Sequence, residues 1–120
     1  MCQHFVTLPF LKPETIDRSI ELLRTGNKQT VLALYKEEDR FWYNGCPVNH
    51  DFSTLQGTQY MEPMYREAGF YTFYRNKFLE SNSRVTSDHA VMYVDKVECV
   101  DIDNRLDFIF AESVAQSGLV

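Results

Sequence analysis

The segment that decides the fold is VDIDNRLDF at residues 100–108, followed by Ala111 and Glu112. In extended backbone, residues i and i+2 face the same side, so Asp101 and Asp103 would stand about 7 Å apart at about 3.3 Å per residue. Two carboxylates at that spacing can bracket one hard divalent cation. A helix is predicted at 104–116, because its apolar residues have the spacing of an amphipathic helix packed on a sheet. These residues are Leu106, Ile109, Phe110, Ala111 and Val114.

The same pair of aspartates also has an ordinary structural interpretation. Asp at a strand-to-helix junction often serves as the N-cap or as a first-turn charge partner of the helix. Spacing alone favours that interpretation over a metal site, so the rest of the sequence has to decide between them.

Length and composition indicate one globular domain, spanning residues 1–120. The chain has no apolar run long enough to cross a bilayer and no signal-peptide pattern at its N-terminus, so we expect a soluble, cytoplasmic protein with no membrane partner. Three widely spaced cysteines, Cys2, Cys46 and Cys99, indicate neither a disulfide framework nor a zinc site.

The charge pattern argues against a nucleic-acid partner. The formal net charge is −5, whereas binding to a phosphate backbone needs a basic face. The aromatic residues between Tyr60 and Tyr74 have only Arg66 among them, and Arg75 follows, so core and pocket lining explains them better than a base-stacking platform. The three histidines are scattered and no Gly-rich phosphate loop is present, so neither a nucleophilic triad nor a P-loop is predicted.

Hydrophobic periodicity predicts alternating strands and helices. A short strand at 3–7 precedes a helix at 13–25, which begins at Pro13 and stops at Gly26. Residues 30–35 form a nearly continuous apolar run, typical of a strand buried on both faces. Leu32 is predicted to be buried there, and Phe110 on the last helix is predicted to pack on the same sheet.

The middle of the chain predicts a β-hairpin at 40–48, because Asn44-Gly45 suits a type I′ turn. The hairpin is short and aromatic, so we expect it to pack on its own sheet or on a second subunit. Strands are predicted at 68–74 and 90–94, a short helix at 76–80, and a final strand running into Asp101.

Four segments together resemble a known family. They are TLPFLKPETID at 7–17, RFW at 40–42, EPMYREAGFY at 62–71 and the VDID segment through Phe108. In order and spacing they are similar to the C-terminal half of the acylneuraminate cytidylyltransferases, the CMP-sugar synthetases that activate sialic-acid-like and related acidic sugars. The resemblance implies an α/β fold, namely a partial Rossmann-like nucleotidyltransferase sheet flanked by helices with a β-hairpin excursion.

The resemblance also implies an activity and its site. The family reaction converts CTP and a sugar acid into CMP-sugar and pyrophosphate, with Mg²⁺ as cofactor. By resemblance, Asp101 and Asp103 bind the metal, and Gln59, Arg66 and Tyr71 lie in the segment that lines the sugar pocket. Thr7 lies in a Thr-x-Pro turn beside the active site, and the hairpin at 40–48 lies where the family forms dimers, so a homodimer is expected.

The chain departs from the family pattern in three respects. It begins after the N-terminal half that binds the CTP base and triphosphate in family members. Ala68 stands where Asn or Thr often precedes the glycine. Gly57 stands where an Arg two residues before the Gln is common, which removes a possible bidentate partner for the sugar carboxylate. Two functions are therefore considered: a cytidylyltransferase, or the sugar- and metal-binding half of one, and a non-catalytic binding or oligomerisation module that keeps the fold.

Overall fold

Strands and helices alternate along the computed structural model, which describes residues 1–120. In chain order the elements are β1 (Cys2–His4), α1 (Pro13–Thr25), β2 (Thr30–Glu37), β3 (Trp42–Tyr43), β4 (Cys46–Pro47), β5 (Met64–Phe73), α2 (Arg75–Ser81), β6 (His89–Tyr93) and α3 (Arg105–Gln116). None of the helices has the length and apolar character that crossing a membrane requires.

A mixed four-stranded sheet has the order β1-β5-β2-β6. β1 runs antiparallel to β5, with Cys2 opposite Thr72, and β2 runs parallel to β6, with Thr30 opposite His89. The carboxyl ends of β2 and β6 therefore lie at the same edge of the sheet. The predicted α/β class, with a sheet containing residues 30–35, 68–74 and 90–94, is confirmed.

The chain divides into two compact units. The first contains residues 1–35 and 67–120, and both faces of its sheet carry buried side chains. One face packs around Val31 and Phe70, and the other packs around Leu32, Tyr71 and Phe73. Neighbouring residues of one strand point to opposite faces, so the apolar run of β2 supplies both clusters. The predicted burial of Leu32 is confirmed.

The second unit, residues 36–66, contains the hairpin. β3 and β4 pair antiparallel around Asn44 and Gly45, whose φ angles of 49° and 76° are those of the predicted type I′ turn. The Asn49 side chain ties the unit together, because its amide donates to the carbonyls of Asp39 and Glu62 and its oxygen accepts from the Phe41 backbone N–H.

Helix α1 has the bounds that the sequence predicts, since Pro13 occupies its first turn and Gly26 follows its end. Helix α3 begins with a capping box, in which the Asn104 side chain accepts from the backbone N–H groups of Leu106 and Asp107. Both helices belong to the first unit, which contains the sheet, and α1 contacts β6.

Three expectations are corrected. The strand predicted before Asp101 is absent, because residues 96–99 turn and the Val100 N–H donates to the Val97 carbonyl. The first strand ends at His4, since Phe5–Leu8 turn instead. Phe110 is 51% exposed, because α3 buries Ala111 and Val114, and the face carrying Leu106 and Phe110 is left outside.

Candidate functional site

The turn after β6 places Asp101 at the edge of the core. Val100, which precedes it, is buried, and one carboxylate oxygen of Asp101, Oδ1, is also buried and has no hydrogen-bond partner in the protein. A buried carboxylate oxygen without a partner is costly unless a ligand satisfies it. Asp103, two residues later, is exposed to solvent.

Thr7 is brought against this segment from the other end of the chain. The Ile102 backbone N–H, between the two aspartates, donates to the Thr7 carbonyl at 3.0 Å. The Phe5–Leu8 turn that carries Thr7 is closed by the Leu8 N–H donating to the Phe5 carbonyl. The structure therefore brings together three predicted site residues, Thr7, Asp101 and Asp103.

The helix-capping alternative for the aspartates does not describe this structure. Asn104 is the N-cap of α3, and the capping box is completed by Asp107, whose carboxylate accepts from the backbone N–H groups of Asp103 and Asn104. Neither the Asp101 nor the Asp103 carboxylate caps the helix. The Asp101 Oδ1 is left without a partner in the protein, and Asp103 is exposed to solvent.

The donor set at this position limits which cation it suits. No group of three or more His, Cys, Asp or Glu side chains that could hold a metal occurs in residues 1–120. Mg²⁺ keeps several waters and binds through one or two carboxylates together with substrate phosphates, so a pair of aspartates fits that ion. The absence of sulfur and imidazole donors does not fit a structural zinc site.

Tyr71 lies in a second cluster of the same unit. Its side chain is buried, and its hydroxyl donates to Glu67 Oε2 at 2.5 Å. The Arg84 guanidinium lies 4.5 Å from the centre of the Tyr71 ring and 5.7 Å from that of Phe5. Burial, followed by the hydrogen bond to Glu67, raises the pKa of Tyr71 from 10.0 to about 12, so the phenol stays protonated well above physiological pH.

Gly69 joins this cluster to the Thr7 turn. Its φ is +70°, and its carbonyl accepts from the Phe5 N–H at 3.0 Å. A Cβ at this position would lie 2.7 Å from Phe5 Cδ2 and 3.2 Å from Leu8 Cδ1. Glycine is therefore required both by the backbone angle and by the close approach of the turn.

A buried acid stabilises the approach to α1. Glu98 is only 5% exposed, and its Oε2 accepts from the Lys12 backbone N–H at 3.1 Å. The Lys12 ammonium donates to Asp95 Oδ2 at 2.8 Å, which raises the pKa of Lys12 and lowers that of Asp95. These contacts hold the turn at residues 96–99 against the start of α1, just before the two aspartates.

Gln59 and Arg66 belong to the second unit. Gln59 is exposed within a short 3-10 turn at Thr58–Tyr60, and the Arg66 Nε lies 3.3 Å from Glu37 Oε1. In the same unit, the Trp42 ring stacks on Phe52 at 6.2 Å and meets His50 edge-on at 5.2 Å.

Sequence reasoning missed Phe5, Glu67 and Arg84. In a strand, residues 67, 69 and 71 face the same side. The sequence could therefore have indicated that Glu67 lies on the same face as Gly69 and Tyr71. Arg84 lies in a polar loop, and no local signal brings it to the Tyr71 ring.

Comparison with known proteins supports the fold. No family model matches the chain, and no curated protein matches it. Among solved structures it is similar to 4-diphosphocytidyl-2C-methyl-D-erythritol synthase from Anaerococcus prevotii DSM 20548, with a TM-score of 0.58 and 20% sequence identity. The match covers 96% of this chain and 57% of that one, so the chain spans a little over half the length of the similar structure.

At this level of identity the similarity establishes the architecture. The chain has a mixed α/β fold, a sheet flanked by helices, that matches part of that structure, and the family resemblance implies an α/β fold as well.

Proposed function

We propose that this chain is the metal- and acceptor-binding part of a cytidylyltransferase whose reaction joins CTP and a sialic-acid-like sugar acid into CMP-sugar and pyrophosphate. The observation that carries the proposal is the partnerless, buried Oδ1 of Asp101, beside Asp103 and the Thr7 turn in a cytidylyltransferase-like fold.

Asp101 and Asp103 would hold Mg²⁺. When bound, the ion neutralises triphosphate charge during attack on the α-phosphorus. The contribution of the chain is positional: the capping box fixes the backbone of Asp103, and the Thr7 carbonyl fixes that of Ile102. Preorganised carboxylates do not have to be ordered when the ligand arrives, which lowers the cost of binding.

The acceptor contacts are proposed residue by residue. Thr7 lies at the turn beside the aspartates, and Tyr71 presents a neutral, buried phenol in the same unit. Gln59 and Arg66 are proposed as sugar contacts because they match the segment that lines the sugar pocket of the family. A homodimer through the 40–48 hairpin is proposed because Trp42 and Tyr43 are exposed there, at 54% and 72%.

The 120-residue chain by itself is proposed to bind the metal without completing turnover. It has no Gly-rich loop to cradle a triphosphate, and Mg²⁺ held by two carboxylates alone is loosely bound. Metal binding without turnover is also what we expect if the chain is a non-catalytic module that keeps the fold and the subunit contact.

Metal binding provides a test that does not depend on activity. Mn²⁺ is a paramagnetic substitute for Mg²⁺, so titrating it into the chain should broaden the amide resonances of Ile102 and Asp103 first. Asp101→Asn should abolish this broadening, whereas Asp17→Asn, on the exposed side of α1, should leave it unchanged. Equal broadening in wild type and Asp101→Asn would refute the site.

Turnover provides the second test. Pyrophosphate release from CTP with a panel of nonulosonic acids should stay at background for the 120-residue chain. Release above background that Asp103→Asn abolishes would show that the chain is a complete enzyme and would overturn the non-catalytic part of the proposal.

A further inference from the structure

Arg84 is held in place by apolar and aromatic contacts and is left without an acceptor. Its guanidinium lies over the rings of Tyr71 and Phe5 and makes no hydrogen bond or ion pair with the protein. Arginine presents five N–H donors in a rigid fork suited to planar oxyanions. Arg84 is partly exposed, so an incoming ligand can reach these donors from solvent.

The loop around Arg84 is fixed on both sides. The Ser83 hydroxyl donates to the Val85 carbonyl at 2.7 Å, and the Thr86 N–H donates to the Thr30 hydroxyl at 3.3 Å. Val85 itself packs against the buried cluster that contains Tyr71. The position of Arg84 therefore follows from the sheet rather than from a freely moving surface loop.

The protein does not neutralise this charge with its own carboxylate. The acid that shares the cluster, Glu67, is bound to the Tyr71 hydroxyl and forms no ion pair with Arg84. The phenol of Tyr71 is neutral at physiological pH, as a tyrosine already is at its ordinary pKa of 10.0, and burial raises this pKa further, to about 12. Arg84 therefore faces a neutral ring, and its positive charge is available to an external anion.

Arg84 is linked to the proposed site through Phe5 and the Thr7 turn. Phe5, one of the two rings beneath it, is two residues before Thr7 and donates its N–H to the Gly69 carbonyl. Thr7 in turn accepts from Ile102, between the two aspartates. A chain of direct contacts thus connects the guanidinium to the Asp101–Asp103 segment within one compact unit.

We infer that Arg84 binds an oxyanion of the substrate, with the Phe5 and Tyr71 rings holding its guanidinium for bidentate contact. The acceptor carboxylate is the expected oxyanion, because the proposed acceptor is a sugar acid and Tyr71, whose ring lies beneath the guanidinium, is itself a proposed acceptor contact. A nucleotide phosphate offers the same chemistry. Identifying the ligand as a substrate group rests on the proposed function.

The test follows the Arg84 side chain directly by NMR of arginine Nε–Hε groups. The probes are N-acetylneuraminate, its uncharged methyl ester and CTP. N-acetylneuraminate should shift the Arg84 signal and bind about tenfold or more tightly than the ester, as expected for charge-assisted hydrogen bonds. A shift with CTP alone would identify the oxyanion as a phosphate. No shift with either anion would overturn the inference.

Variants separate binding from folding. Arg84→Met keeps an unbranched apolar stem over the rings, so it should preserve the thermal melt and weaken binding of the anion about tenfold or more. Arg84→Lys should retain part of the affinity, and Arg24→Met, an exposed arginine on α1, should retain all of it. Unchanged affinity in folded Arg84→Met would refute the assignment.

The two proposals fail separately. Mn²⁺ broadening at Ile102 should be the same in Arg84→Met and in wild type, because Arg84 is not a metal ligand. Loss of the Mn²⁺ effect with an intact Arg84 response would contradict the proposed function only, and the reverse result would contradict the Arg84 inference only.

Discussion

Replacing Gly69 with alanine should destabilise the unit that carries the candidate site. The left-handed backbone at φ +70° costs a non-glycine residue about 1–2 kcal/mol. The added Cβ would lie 2.7 Å from Phe5 Cδ2, an overpacked contact of a kind that costs about 1–3 kcal/mol. The lower entropy of the unfolded alanine chain offsets about 0.4–1 kcal/mol. The expected net loss is about 1–5 kcal/mol of unfolding free energy.

Urea denaturation measures this loss, and two further variants separate its causes. Gly118→Ala has a similar φ of +78° with nothing within 4 Å of the new Cβ, so it should show the backbone cost less the unfolded-state offset, about 0–1.6 kcal/mol. Phe5→Ala removes the closest atoms, so Gly69→Ala should cost less in a Phe5→Ala background than in the wild type. A Gly69→Ala loss no larger than that of Gly118→Ala, or an equal loss in both backgrounds, would refute the reasoning.

Three other substitutions test separate features. Asn104→Ala removes the side chain that accepts from Leu106 and Asp107, so urea denaturation should show a loss of about 1 kcal/mol, with exposed Asn76→Ala nearly neutral. The folded pKa of Tyr71, about 12, lies above its unfolded value of 10.0. The unfolded state therefore loses this proton first, so the contribution of protonated Tyr71 to the unfolding free energy is complete below pH 10 and is lost as pH rises from about 10 to 12. Tyr71→Phe should therefore lose less stability across that interval, as measured by thermal melts at each pH. Trp42→Ala should shift sedimentation towards the monomer; an unchanged distribution would contradict the hairpin dimer.

Local sequence signals specified most of the secondary structure. Pro13 and Gly26 delimit α1, and Asn44-Gly45 forms the hairpin turn, because in each case the residue itself restricts the backbone. β2 was predicted because an unbroken apolar run suits a strand buried on both faces, which the two core clusters confirm.

Two of the wrong predictions, the strand before Asp101 and the burial of Phe110, concern burial and hydrogen bonds that leave no regular period in the sequence. Residues 97–100 are apolar enough to suggest a strand, but they are buried as a turn whose acid, Glu98, accepts from Lys12. The helix period of α3 was predicted correctly, but the period does not state which face packs. Small Ala111 allows close approach to the core, and Phe110, one position earlier and about 100° around the helix, is left outside.

The candidate site depends on contacts that sequence patterns do not encode. The Lys12–Glu98 hydrogen bond joins residues 86 positions apart, and the Thr7–Ile102 bond joins the two ends of the chain. Parallel pairing of β2 and β6 sets the edge at which the chain leaves the sheet after β6, and these hydrogen bonds fix the turn that follows. The VDID segment was predicted as a ligand site from its residues together with the family resemblance, and that role stays a prediction. The Thr7 turn and Arg84 could not be assigned to it until the strands were placed. Gly69 lets Phe5 pack closely against β5, and Phe5 both begins the turn that contains Thr7 and lies beneath the Arg84 guanidinium.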